Sequence, residues 1–222
     1  MTTTLIIPGL NSSGSAHWQT WFEFQIPGAI RVIQADWKRA NLPEWSSRVR
    51  REISRRPGPV LIAAHSFGAL AAVQAAEDYR ERIVGALLVA PADPGKFGVA
   101  EVLPDRPLGF PATIVASSND PWLSIERARA LAIRWSANLI DLGDAGHINA
   151  DSGHGPWPFG LALLRQLVDQ HALREQQALR SDSYARSNEV IRSSRLLAAD
   201  PAVGTRHHSA ERAPEFPAQH YG

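Results

Sequence analysis

Val60-Leu61-Ile62-Ala63-Ala64-His65-Ser66-Phe67-Gly68-Ala69-Leu70 is the stretch whose reading decides the fold. An apolar strand runs into a serine flanked by small residues, and a helix-forming segment follows. Such a corner holds a serine hydroxyl clear of the backbone, and only small residues two positions before and after it leave room for the bend. Ala64 and Gly68 occupy those positions, so the pattern is G-x-S-x-G with alanine for the first glycine. A small-x-Ser-x-Gly sequence after a strand also arises as a plain structural turn. Partner residues elsewhere in the chain have to decide between the two.

A serine hydroxyl is a poor nucleophile until a base takes its proton, and that base needs a carboxylate to fix its tautomer. The β-branched run Ala112-Thr113-Ile114-Val115-Ala116-Ser117 ends in Ser118-Asn119-Asp120-Pro121-Trp122, which puts Asp120 just beyond a strand. Asn138-Leu139-Ile140-Asp141-Leu142 is a further short strand, and Gly143-Asp144-Ala145-Gly146-His147 puts His147 in a glycine-bracketed loop. Ser66, Asp120 and His147 thus follow three different strands in the order Ser, Asp, His, which suits a nucleophile, an orienting acid and a base. The oxyanion formed on attack needs two donors. One is the backbone N–H of Phe67, directly after the nucleophile. The other comes from the loop Pro8-Gly9-Leu10-Asn11-Ser12-Ser13-Gly14 after the first strand, with Leu10 the first choice and Asn11 the next. That loop would also suit a phosphate cradle, but no G-x-x-x-x-G-K-[ST] or G-x-G-x-x-G follows any strand, so a nucleotide site is set aside.

Further motifs carry a resemblance. Pro8-Gly9, Ser15-Ala16-His17-Trp18-Gln19-Thr20-Trp21, Ala35-Asp36-Trp37, the elbow itself, Ser118 to Trp122, and Gly146-His147-Ile148-Asn149-Ala150-Asp151-Ser152-Gly153 together resemble the retinoblastoma-binding protein 9 (YdeN-like) family of small serine hydrolases. The likeness spans about residues 3 to 171. It implies an α/β-hydrolase domain with little or no lid and with Ser66, Asp120 and His147 as its triad. Ala64 in place of glycine departs from the family pattern and narrows the elbow.

Composition bounds the alternatives. The chain has 222 residues, 44% of them hydrophobic, enough to bury one α/β core. With 23 Lys and Arg against 22 Asp and Glu, it presents no charge field that would attract nucleic acid or an anionic membrane. It has no cysteine, which excludes disulfides, thiolate chemistry and any Leu-x-Cys-x-Glu motif. No charged leader, signal core or bilayer-length apolar run is evident, so a soluble cytoplasmic protein is expected.

Strands are expected at about 3–8, 30–34, 59–64, 83–90, 111–117 and 137–142, alternating with helical patterns. This alternation predicts a three-layer, doubly wound sandwich around a mainly parallel sheet of about six strands. Trp45, Val49 and Ile53 mark a covering helix over 44–56, and Ser124 caps another over 124–135. Leu161, Leu164, Leu167 and Val168 mark a closing helix over 158–173. A hydrolase domain is expected over 1–173 and a flexible tail over 174–222, with a transient helix over 189–199. The tail has seven Arg against six acids, and prolines at 201, 214 and 217.

Other residues invite functional readings. His147, Asp151 and His154 have a spacing that would suit metal ligands on a helix, but the surrounding glycines and Pro156 oppose a helix there, and no metal or other cofactor is expected. His65 is read as packing near the sheet. His17 and Asp36 are candidates to line the mouth of the site, as are Asn11, Trp122 and Trp157. Trp18, Trp37, Trp122 and Trp157 fall in or beside strand-end loops, where they could wall an apolar pocket. The expected function is a metal-independent serine hydrolase of esterase type, acting on a small ester or amide. A serine aminopeptidase is the alternative within the class and would need a carboxylate near the cleft. A non-catalytic protein-binding module on the same scaffold is the alternative outside it.

Overall fold

The computed structural model describes residues 2–198, with side-chain surroundings described to residue 181. Six parallel strands, β1 Thr3–Ile7, β2 Ile30–Arg31, β3 Val60–His65, β4 Ile83–Val89, β5 Ala112–Ala116 and β6 Asn138–Asp141, form one open sheet in the order β2-β1-β3-β4-β5-β6. The order reverses around β1: the chain steps outward to β2, then crosses back to β3 and continues to the other edge. β2 is shorter than expected, yet its extended line persists for one more residue, since Val32 N–H donates to Ile6 O at 2.9 Å.

The helices are α1 Trp18–Gln25, α2 Leu42–Ser54, α3 Phe67–Ala76, α4 Ile125–Trp135 and α5 Pro158–Ala198. Alternate residues of the central strands feed two cores. Leu5, Ile7, Ile62, Ala64, Ala86 and Leu88 face one layer with α2, α3 and α4, while Ile6, Leu61, Ala63 and Leu87 face the other with Trp18, Phe22, Leu161, Leu164 and Leu167. The central strands are therefore apolar on both faces, as a covered parallel sheet requires. α2 contributes Trp45, Val49 and Ile53, nearly or fully buried and each worth about 1.5–3 kcal/mol of apolar burial. Its Asn41 side chain caps the helix by accepting from Glu44 N–H. α3 has no polar face: its alanines bring it close to the sheet directly behind Ser66.

α5 departs from the expected end at Leu173 and runs to Ala198. No glycine or proline occurs between residues 161 and 200, so nothing in the sequence breaks the helix before Pro201. The chain divides into two units after Gln176, three residues beyond the expected boundary. The expected tail beyond residue 198 lies outside the described residues. Among the described residues no helix is long and apolar enough to cross a membrane. The connection between β4 and β5 contains only a short 3-10 turn, Ala100–Val102.

Candidate active site

Ser66 directly follows β3, as the N-cap of α3, with φ 51° and ψ −125°, a conformation that a non-glycine residue adopts only when its surroundings impose it. Two features impose it. A Cβ on Gly68 would lie 2.2 Å from Pro8 O, so the helix start can press against the end of β1 only with glycine there. A Cβ on Gly9 would lie 2.7 Å from Ser66 Cβ, so the β1 loop reaches the serine for the same reason. Ala64, the departure from the family pattern, is fully buried and directs its methyl group into the α2–α3 core.

Ser66 Oγ lies 2.9 Å from His147 Nε2, and His147 Nδ1 lies 2.9 and 3.0 Å from the two Asp120 carboxylate oxygens. The Asp120 side chain is 2% exposed and that of His147 12%, so water screens this contact weakly. All three sit beyond the carboxyl ends of β3, β5 and β6, where ligands gather in open α/β sheets. Asp93, the acid that follows β4, is instead 1% exposed and paired with Arg127 at 2.7 Å.

The loop carrying His147 is tied down at several points that the sequence reading missed. Ser117 Oγ donates to Asn119 Oδ1 at 2.8 Å and accepts from Ala145 N–H at 3.0 Å. Asn119 Oδ1 also accepts from Gly146 N–H at 2.7 Å. The residue before the acid thus holds the residue before the base. On the other side, His65 Nε2–H donates to His147 O at 2.9 Å, and Trp18 Nε1–H donates to Ile148 O at 2.9 Å. These bonds bracket Ile148, a fully buried β-branched residue held at φ 49°. His65 therefore packs near the sheet as expected, but with a definite partner. Gln19, fully buried, donates to Ile7 O and Ala63 O at 3.0 and 3.1 Å and joins the ends of β1 and β3. A signal for these ties was present only as polar residues, Ser117, Asn119 and Gln19, beside the motifs.

A cavity of about 420 Å³ opens over Ser66 and His147. Leu10, Asn11, His17 and Trp122 are among the residues that line it. Asn11 N–H is already bonded to Trp37 O at 2.8 Å, whereas Leu10 N–H and Phe67 N–H have no partner among the described residues, which favours Leu10 over Asn11 as the second donor. Two expectations need correction. Asp36 is exposed, accepts from Lys38 N–H and does not line the cavity. Trp157 is 8% exposed and belongs to the α1–α5 core, packed edge-on to Trp18 and beside Phe22. Its large apolar ring finds more burial beneath the loop than at the mouth, and Gly160 leaves the space for it. Trp18 is likewise core and Trp37 stacks edge-on against Trp45, so of the four tryptophans only Trp122 walls the cavity.

Two histidines beside the site are held neutral. Burial, followed by the Arg31, His147 and His154 charges, pushes the His17 pKa down to about 4. Burial also lowers that of His65 well below the usual histidine range, with His147 and His17 adding to the effect against the bond to His147 O. Among the described residues no group of three or more His, Cys, Asp or Glu is placed to hold a metal ion.

Known proteins agree with this arrangement of strands. A YdeN-like hydrolase structure from Pectobacterium atrosepticum is 40% identical over 77% of this chain and 92% of its own, with a TM-score of 0.73. The ydeN product of B. subtilis is 18% identical over 76% of this chain and 100% of its own, TM-score 0.64. A monoacylglycerol lipase from Paleococcus ferrophilus shares the fold at 14% identity, covering 76% of this chain and 94% of its own, TM-score 0.56. No curated protein matches the chain. The family model for serine hydrolases matches residues 4–166, from the first strand through the elbow and the histidine loop into α5, and the chain belongs to that family.

Proposed function

We propose that Ser66, His147 and Asp120 act as a catalytic triad in a hydrolase of small carboxylic esters. The observation that carries this reading is the continuous line of contacts from Ser66 Oγ to His147 Nε2 and from His147 Nδ1 to Asp120. Neutral His147 takes the Ser66 proton as Oγ attacks the ester carbonyl. Asp120 holds the Nδ1–H tautomer and offsets the charge of the imidazolium. The N–H groups of Phe67 and Leu10 receive the oxyanion, and His147 returns its proton to the departing alkoxide. Water, deprotonated by the same histidine, then releases the acid from Ser66. The chain supplies nucleophile, base and oxyanion donors, so the cycle calls for no cofactor.

An aminopeptidase reading has one observation in its favour. The exposed carboxylate of Asp151 lines the cavity, where it would attract a substrate ammonium group. Hydrolysis of 4-nitrophenyl acetate and of aminoacyl 4-nitroanilides by wild type and Ser66→Ala decides the matter. The esterase reading expects ester turnover that disappears in the variant while its circular dichroism is unchanged. Turnover confined to the anilides would move the assignment to the aminopeptidase, and ester turnover surviving in the variant would remove Ser66 from the mechanism.

A further inference from the structure

The acid of the proposed triad is oriented by few contacts. The Asp120 side chain is 2% exposed, and among the described residues its oxygens meet His147 Nδ1 and, apart from that ring, accept only from Trp122 N–H at 2.9 Å. This bond closes an Asx turn over Asp120-Pro121-Trp122, in which the proline ring fixes φ of the middle residue. Whatever holds the Pro121–Trp122 peptide therefore also sets how the carboxylate is turned. That peptide is one planar unit, with Trp122 N–H at one end and Pro121 C=O at the other. Lys96 Nζ donates to Pro121 O and to Trp122 O, at 3.0 Å each.

An ammonium grips this peptide more firmly than a neutral donor would, and charge at its carbonyl end polarises the N–H at the other. The contacts run from Lys96 through Pro121 C=O and Trp122 N–H to Asp120, and on through His147 to Ser66. Lys96 is exposed, and among the described residues both of its hydrogen bonds go to these two carbonyls and none to a carboxylate. The chain on either side of it is anchored. Asp93, the buried acid that the triad leaves unused, accepts from Gly95 N–H at 2.8 Å and pairs at 2.7 Å with Arg127 in the first turn of α4. Phe97 packs on the fully buried Phe67, with ring centroids 5.0 Å apart. The connection between β4 and β5 thus presents Lys96 to the acid turn from a fixed base.

We infer that Lys96 is a positioning residue of the triad, holding the Asp120 carboxylate toward His147 through the Pro121–Trp122 peptide. It acts through the acid and touches none of the reacting atoms. Its loss slows the chemical step, because the carboxylate no longer aims the imidazole, and leaves substrate binding as it was. This rests on the hydrolase reading above.

The test compares wild type with Lys96→Met, which keeps the length of the side chain without the donor, and with Lys96→Arg, which restores a cationic donor. Each protein is assayed on 4-nitrophenyl acetate well below its melting temperature. We expect kcat to fall about tenfold or more in Lys96→Met with KM little changed, and to return to within about threefold of wild type in Lys96→Arg. Unchanged kcat in Lys96→Met, or equal losses in the two variants, overturns the inference while leaving the hydrolase reading intact. A change confined to KM also overturns it, because Lys96 would then act on the Trp122 wall of the cavity instead of on the acid. A second arm does not depend on turnover. In protein labelled with ¹⁵N-histidine, the His147 Nδ1–H resonance, assigned by its absence from His147→Gln, should move or broaden in Lys96→Met and keep its place in Lys96→Arg. The same resonance in all three proteins overturns the inference even if no ester is hydrolysed.

Discussion

Two buried neutral histidines make the stability of this protein depend on pH in a specific direction. His17 titrates near 6.5 when unfolded and at about 4 when folded, so between these values the unfolded chain binds the extra proton. Its share of stability is complete above pH 6.5, declines as pH falls and levels off below 4. Moving from pH 8 to pH 5 removes about 2 kcal/mol through His17 alone, at about 1.4 kcal/mol per pKa unit. In a domain of this size that is worth roughly 4–8 °C in Tm. His65 acts in the same direction. Thermal unfolding of wild type and His17→Asn at the two pH values, followed by tryptophan fluorescence, isolates the contribution because other titrating groups are common to both proteins. The variant should lose about 2 kcal/mol less than wild type on acidification. Equal losses would show that His17 is not held neutral by its burial, and the reasoning from its surroundings would fail.

Asp120→Asn should lower ester turnover by about 10⁴-fold with little change in Tm, since it leaves the imidazole in the wrong tautomer; near-native kcat would show that Asp120 does not orient His147. Asn119→Ala removes an acceptor shared by Ser117 Oγ and Gly146 N–H and should reduce kcat about tenfold or more while KM moves little. Asn119→Asp retains that acceptor oxygen and should restore most of the rate, and equal rates in the two variants would show that this tie does not position the base. A chain ending at Gln176, where the first unit ends, should melt cooperatively and keep wild-type kcat/KM; loss of either would give the later residues a part in the domain.

The sheet was legible because each strand is a short β-branched or aliphatic run closed by glycine, proline or a polar turn, and the covering helices repeat apolar residues at helical spacing. β2 was overread: Ile33 satisfies the β-branched pattern but is exposed, since the edge of the sheet offers it nothing to pack against. The residues brought together at Ser66 were legible from their positions after strands. Trp157 and Asp36 were misplaced for a common reason. Sequence position puts a residue in a strand-end loop but does not say which way the loop turns it, and packing turned Trp157 inward and left Asp36 in water. The ties through Ser117, Asn119 and His65 were not legible because they join segments up to 82 residues apart.

The most direct test of the central claim is covalent labelling by a fluorophosphonate, read by intact mass and peptide mapping. A nucleophilic Ser66 gives one phosphonyl group per chain, carried on that serine and absent from Ser66→Ala. Failure of the folded wild type to label, or equal labelling of Ser66→Ala, would contradict it.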